Sequence, residues 1–231
     1  ITPTTPSVSP ELQKLTEILS TTTRGICVVG ALESPEEAAS ARRFVAKLGW
    51  ITFADSLSQL RQDNDRQAFM TYGDMTLLAP LPEDLQPDTI LHIGGRLVSK
   101  RVATLLAPSP TAKVVSVSSS SDYFNPNDGI QTRIIAPLKR LEEIEVPSSQ
   151  DYDFQERFAA RHSRVESSMK KLFGRLEGEL SEPSLLRALS LHTPSSHTLM
   201  LGNSMPIRDF EMFAGARSDA PRTIANRGAS G

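Results

Sequence analysis

Residues 25–30 read GICVVG, residues 88–93 read DTILHI and residues 113–118 read KVVSVS. Each is a short apolar run rich in Val and Ile, too short for a core helix, and reads as a buried strand. WITFAD (50–55) and QTRIIA (131–136) extend the set. Helical patterns lie between them. Ser9-Pro10 opens a helix to about Ser20, after a Pro/Thr/Ser linker. Ser34-Pro35-Glu36-Glu37 reads as a capping box with proline at the first helical position, and Gly49 closes that helix after Lys47. A helix is expected after Gly94-Gly95 through Leu106, and a short one from Pro137. Strands and helices alternating at this spacing predict βαβ units: an α/β, Rossmann-like parallel sheet with helices on both faces.

Around this unit the chain is ordinary in composition. It has 231 residues, 39% hydrophobic and 23% charged, enough apolar content for a core. A net charge of -2 gives no reason to expect nucleic acid or an anionic membrane surface, and no apolar run reaches spanning length. Cys27 is the single cysteine, so no internal disulfide framework exists, and within ICVV it reads as a small core hydrophobe. The polar stretch 56–74 is read as a solvated loop, with an active-site-facing loop as the alternative. Ser118 to 121 reads as a polar loop at a strand end.

The second half starts with an amphipathic helix over 151–176, with Phe154, Phe158, Val165, Met169, Leu172 and Leu176 near one face. Its His162 reads as a surface or interface residue. Pro183 begins another helix, and residues 198–201 form a strand opening an incomplete second α/β unit. The expected division is a central domain (1–150), a linker helix (151–180) and the start of a further domain (181–231). The chain opens on Ile1 and stops inside a Gly-rich loop, and is expected to be a piece of a longer enzyme.

Three motifs can carry chemistry. In GNSMPIR (202–208), Gly202 permits a tight turn, Asn203 or Ser204 can cap the next helix, and Pro206 fits its first turn. A helix N-terminus attracts carboxylates, and Arg208 can add a bidentate clamp. NRGASG (226–231) sets Arg227 among small residues that let backbone approach a ligand. GGRLVSKR (94–101) puts Lys100 and Arg101 at a helix start, without the dinucleotide glycine spacing. Taken singly, each also reads as something plainer: a cap, a flexible loop, a solvated basic pair. The sequence holds no P-loop, no metal-spaced His/Cys cluster, no nucleophile elbow and no kinase signature.

Together, GNSMPIRDFEMFA, NRGASG, GGRLVSKR and WITFADSLSQLR resemble the family of 2-succinyl-5-enolpyruvyl-6-hydroxy-3-cyclohexene-1-carboxylate synthases of menaquinone and phylloquinone biosynthesis. The resemblance covers about Leu12 to Gly231 and is diffuse between 120 and 180. It implies a thiamine diphosphate enzyme of three α/β domains, with magnesium or manganese. That enzyme decarboxylates 2-oxoglutarate and adds the succinyl carbanion equivalent to isochorismate. It further implies that Ser204, Arg208, Arg227, Lys100 and Arg101 bind substrate or the cofactor-bound intermediate. The family's activating glutamate and metal–diphosphate motif are expected outside this chain, so no cofactor is expected on it alone. A homo-dimer or homo-tetramer is implied, in the cytoplasm for a bacterial source and the plastid for a plant or algal one. Two alternatives stay open: another thiamine diphosphate decarboxylase or acetolactate-type synthase, and a non-catalytic anion- or nucleotide-binding module.

Overall fold

A computed structural model describes residues 10–61, 69–122, 124–146 and 150–226. The five expected strands form: β1 (Gly25–Val29), β2 (Ile51–Ala54), β3 (Thr89–Ile93), β4 (Lys113–Ser118) and β5 (Thr132–Ile135). All neighbours pair in parallel, in the order β2-β1-β3-β4-β5. Alternating side chains feed two cores, because both faces are covered. Cys27 and Val29 of β1 enter one cluster with Leu12 and Leu15 of α1 (Pro10–Thr21) and Phe44 of α2 (Pro35–Leu48). Ile26 and Val28 enter the other.

Local signals explain the helix ends. Ser34 Oγ accepts the Glu37 N–H at 3.2 Å, while the Glu37 carboxylate accepts the Glu33 N–H at 3.0 Å. The cap is therefore one residue wider than the reciprocal box expected. Gly49 ends α2 at φ 65°, its N–H returning to the Val45 carbonyl. The helix after β3 is shorter than expected: α4 spans Lys100–Thr104, and the N–H groups of residues 105–107 bond three residues back. Pro108 follows, and a proline disfavours the α conformation in the residue before it. The short helix after Pro137 is a 3-10 turn over Leu138–Glu143.

The stretch 56–74 is corrected in part. Between β2 and β3, α3 (Gly73–Thr76) forms, and Ser56, Ser58, Leu60, Arg61, Met70, Tyr72 and Asp74 are buried. Leu60 and Met70 enter the two cores of the central sheet, while Ser56, Arg61 and Tyr72 are met by Glu211, Phe210 and Arg187 of the chain's second half. The helix α5 (Tyr152–Arg175) buries Phe154 and Phe158 in the second core. Farther along, Leu172 is exposed and Phe173 turns inward instead, meeting Phe213 edge-on with centroids 6.0 Å apart. His162 is buried, not a surface residue, with Nδ1 2.9 Å from Thr76 Oγ1.

The second unit contains α6 (Glu182–His192), β6 (Thr198–Leu201), α7 (Met205–Phe213) and β7 (Arg222–Ala225), with β6 and β7 parallel. Its core joins Leu186, Leu201, Ile207, Phe210 and Ala214 to Val98 and Leu57 of the first unit.

Candidate functional site

In open sheets ligands gather where the strand order reverses, here between β1 and β3. That crevice is closed by backbone. Ala31 N–H donates to the Arg96 carbonyl and Gly95 N–H to the Ala31 carbonyl, both at 2.9 Å. A Cβ on Gly30 would lie 2.2 Å from the Gly95 carbonyl oxygen. The loop after β3 is thereby fixed, and it delivers Lys100 and Arg101 at the start of α4.

At this start, Ser99 Oγ caps α4 by accepting the Val102 N–H at 3.0 Å. The same hydroxyl donates to Asp74 Oδ2 at 2.6 Å, and Asp74 Oδ1 takes the Arg101 guanidinium. Asp74 is 5% exposed, whereas Lys100 projects into solvent. Arg101 is therefore not a solvated cation: one guanidinium nitrogen is held, and its side chain remains 42% exposed.

The turn into α7 differs from the expected cap. Ser204 sits at φ 71°, ψ -123°, a conformation that strains any residue with a side chain, and makes no side-chain cap bond. Asn203 does not cap either: its Oδ1 is buried without a partner. The first turn of α7 thus keeps its N–H groups uncapped beside the exposed Ser204 and Arg208. Arg227 lies outside the described residues. Val98, two residues before Lys100, shares an apolar cluster with Ile207, one residue before Arg208. The α3 helix packs against both α4 and α7.

A buried polar seam joins the two units, and the residue pattern gave no warning of it. Glu211 of α7 accepts the Ser56 N–H at 2.9 Å, the Ser56 hydroxyl, and Arg61 Nη1 at 3.0 Å. Arg61 also donates to the Phe210 carbonyl at 3.3 Å and, through Nε, to the Thr71 carbonyl at 3.0 Å. Asp55 accepts the Leu57 N–H at 2.9 Å and the Val98 N–H. Gln59 donates to the Thr223 carbonyl at 2.6 Å and accepts the Thr223 N–H at 3.0 Å, as a neighbouring strand would. Burial, and then the Glu211 charge, push Asp55 up to about 8 against the pull of its N–H donors and Arg61. Burial and then the Arg61 cation drive His162 down to about 4. Its Nε2 lies 3.4 Å from Glu166 Oε1, so at neutral pH this contact is not a standing ion pair.

A cavity of about 390 Å³ opens along the seam, with Arg42, Arg61, Arg217 and Arg222 in its wall. Of the predicted site residues among the described ones, Ser204, Arg208, Lys100 and Arg101, none lines it. Three of its arginines are engaged: Arg61 as above, Arg42 with the Gln59 carbonyl, and Arg217 with Asp219 and the Leu191 and Thr193 carbonyls. It reads as part of the seam and not as the site.

A family model described as "Middle domain of thiamine pyrophosphate" matches residues 6–201. Curated relatives named 2-succinyl-5-enolpyruvyl-6-hydroxy-3-cyclohexene-1-carboxylate synthase are similar along the whole chain. One from Syntrophus aciditrophicus is 31% identical over 95% of the chain and 38% of its own length. One from Chlorobium phaeobacteroides is 30% identical over 93% and 37%. One from Salinibacter ruber is 29% identical over 100% and 40%. The chain thus spans about two-fifths of the length of these relatives.

Proposed function

The chain belongs to the thiamine pyrophosphate middle-domain family, and on that premise we propose that it is the central part of a thiamine diphosphate-dependent synthase. In this reading residues 1–150 are the central domain, 151–180 a linking helix and 181–231 the start of the following domain. The complete enzyme, a homo-dimer or homo-tetramer, decarboxylates 2-oxoglutarate and adds the succinyl unit to isochorismate. The names of the relatives support that assignment.

The observation that carries it is the pair of cation-bearing helix starts around α3. One is α4 with Lys100 and Arg101. The other is α7 with the strained Ser204, free N–H groups and Arg208. Both proposed substrates are carboxylates. Fixed guanidinium groups and helix-terminal N–H groups bind and orient such groups and balance their charge. Thiamine diphosphate, when bound, supplies the carbanion-stabilising chemistry. Among the described residues no three His, Cys, Asp or Glu gather as a metal site.

An acetolactate-type synthase works on a small acyl group and has less use for Arg101 with Arg208. A nucleotide-binding module is disfavoured by the backbone contact that closes the crevice between β1 and β3. The test is steady-state kinetics of Arg208→Ala in the complete enzyme. Loss of a charged hydrogen bond predicts about 2 kcal/mol, or roughly 30-fold in kcat/KM, mostly through KM for a carboxylate substrate. Unchanged kinetics would remove Arg208 from the site.

A further inference from the structure

Asp55, Arg61 and Glu211 are 3–4% exposed, and they hold two carboxyl groups against one guanidinium. As a source of stability this is a poor choice. Burying charge is costly, and an apolar seam of the same volume serves as well or better. What the cluster supplies is direction. The apolar contacts among Leu57, Val98, Ile207 and Phe210 hold the units together but tolerate sliding. The hydrogen bonds do not.

Those bonds have a pattern. Asp55 holds the backbone of Val98, two residues before Lys100. Glu211 holds α7, whose first turn carries Arg208, to Ser56 and Arg61. Arg61 takes a second point on α7, the Phe210 carbonyl. Gln59, at φ 62°, holds β7 at Thr223. One seven-residue segment, 55–61, therefore holds α7, β7 and the loop that leads into α4.

We infer that Asp55, Arg61 and Glu211 are positioning residues that set the register between the Lys100–Arg101 segment and the helix bearing Ser204 and Arg208, so that one substrate meets both. The inference rests on the site proposed above. It assigns a role to three buried residues whose hydrogen bonds run to the frame of the site. Displacement of one helix start against the other by about an ångström is enough to cost as much as 100-fold in a site that depends on orientation.

The informative variant is the double substitution Arg61→Met with Glu211→Leu, which removes the buried ion pair, leaves Asp55 on Val98 and keeps the volume. It is expected to fold with a Tm close to that of the parent, the relief of burying an ion pair offsetting the acceptor that Ser56 loses. In the complete enzyme it should raise KM for 2-oxoglutarate or isochorismate about tenfold or more. A folded double variant with parental KM overturns the inference. Should it fail to fold, Glu211→Gln keeps an acceptor for Ser56, loses the Arg61 charge partner, and is held to the same standard. The Arg208→Ala control separates the two failures. If that variant is impaired and the seam variants are not, the site stands and the positioning role falls. A second readout needs no activity. Hydrogen exchange on the 231-residue chain should quicken at both 98–101 and 204–208 in the seam variants. Unchanged exchange in both segments overturns the inference even if the site itself proves misassigned.

Discussion

Replacing Asp74 by alanine tests how Arg101 is held. Asp74 is 5% exposed and serves two donors, the Ser99 hydroxyl at 2.6 Å and the Arg101 guanidinium. The first bond is buried and charge-assisted, worth about 1.5–3 kcal/mol. The second reaches a side chain that is 42% exposed, so solvent screening reduces it to about 0.5 kcal/mol. Ser99 still caps α4 through the Val102 N–H, so the cap is not lost with the carboxylate. Asp74→Ala should therefore destabilise the chain by about 2–3 kcal/mol. Asp74→Asn keeps an acceptor for Ser99 and should cost about 1 kcal/mol. Urea titration of the two variants beside the parent reads this directly, as a shift in midpoint at constant slope. In the complete enzyme the freed Arg101 should also raise KM. A loss in Asp74→Ala below about 0.5 kcal/mol, the size of an ordinary surface change, would refute the reasoning.

Stability should also depend on pH with a sign set by three buried groups. Asp55, at about 8, keeps in the folded chain a proton that the unfolded chain gives up, so its contribution is present below about pH 4 and lost as pH rises to 8. His162 and His92, both at about 4, stay neutral where unfolded histidines are charged, so their contributions are present above about pH 6.5 and lost toward pH 4. Between about pH 4 and 6.5 the two histidine slopes oppose and outweigh that of Asp55. From 6.5 to 8 Asp55 acts alone, at up to about 1.4 kcal/mol per pH unit, and Asp55→Asn should flatten that limb in denaturant titrations. Equal stability of the parent at pH 6.5 and 8 would contradict the burial argument. Gly25→Ala places a Cβ 2.2 Å from the Trp50 ring and should cost about 1–3 kcal/mol by overpacking, seen as a lower Tm. Ser204→Gly should raise stability by about 1 kcal/mol through relief of the φ 71° strain while lowering activity of the complete enzyme; a drop in Tm would show that the hydroxyl, not the strain, dominates.

The central sheet was legible because its strands are buried on both faces. A continuous apolar run such as GICVV needs no tertiary information to be read, and its ends are marked by glycine and charge. The same rule failed over 56–61. Ser56, Ser58, Gln59 and Arg61 are polar, and polarity alone reads as solvent. The burial of Ser56 and Arg61 depends on Glu211, 155 positions from Ser56, which no local pattern reports. The one available signal was the likeness of WITFADSLSQLR to the synthase family, which marked the segment without saying what it does. At α7 the residues for a side-chain cap were present, but Ser204 adopts φ 71° and its side chain caps nothing, so composition gave the place of the turn and not its geometry. The separation of Lys100 from Arg101, one in solvent and one tethered to Asp74, likewise depends on a residue 27 positions upstream.

The amide of Gln59 meets both the donor and the acceptor of Thr223 on the flank of β7 turned away from β6. A side chain here imitates one peptide unit of an absent strand. The flank is thereby quenched as a template: a further strand, from this polypeptide or a stranger, would have to evict that amide to enrol beside β7. Growth of the small sheet is steered toward the open margin of β6, and adventitious edge-to-edge association is discouraged on the other.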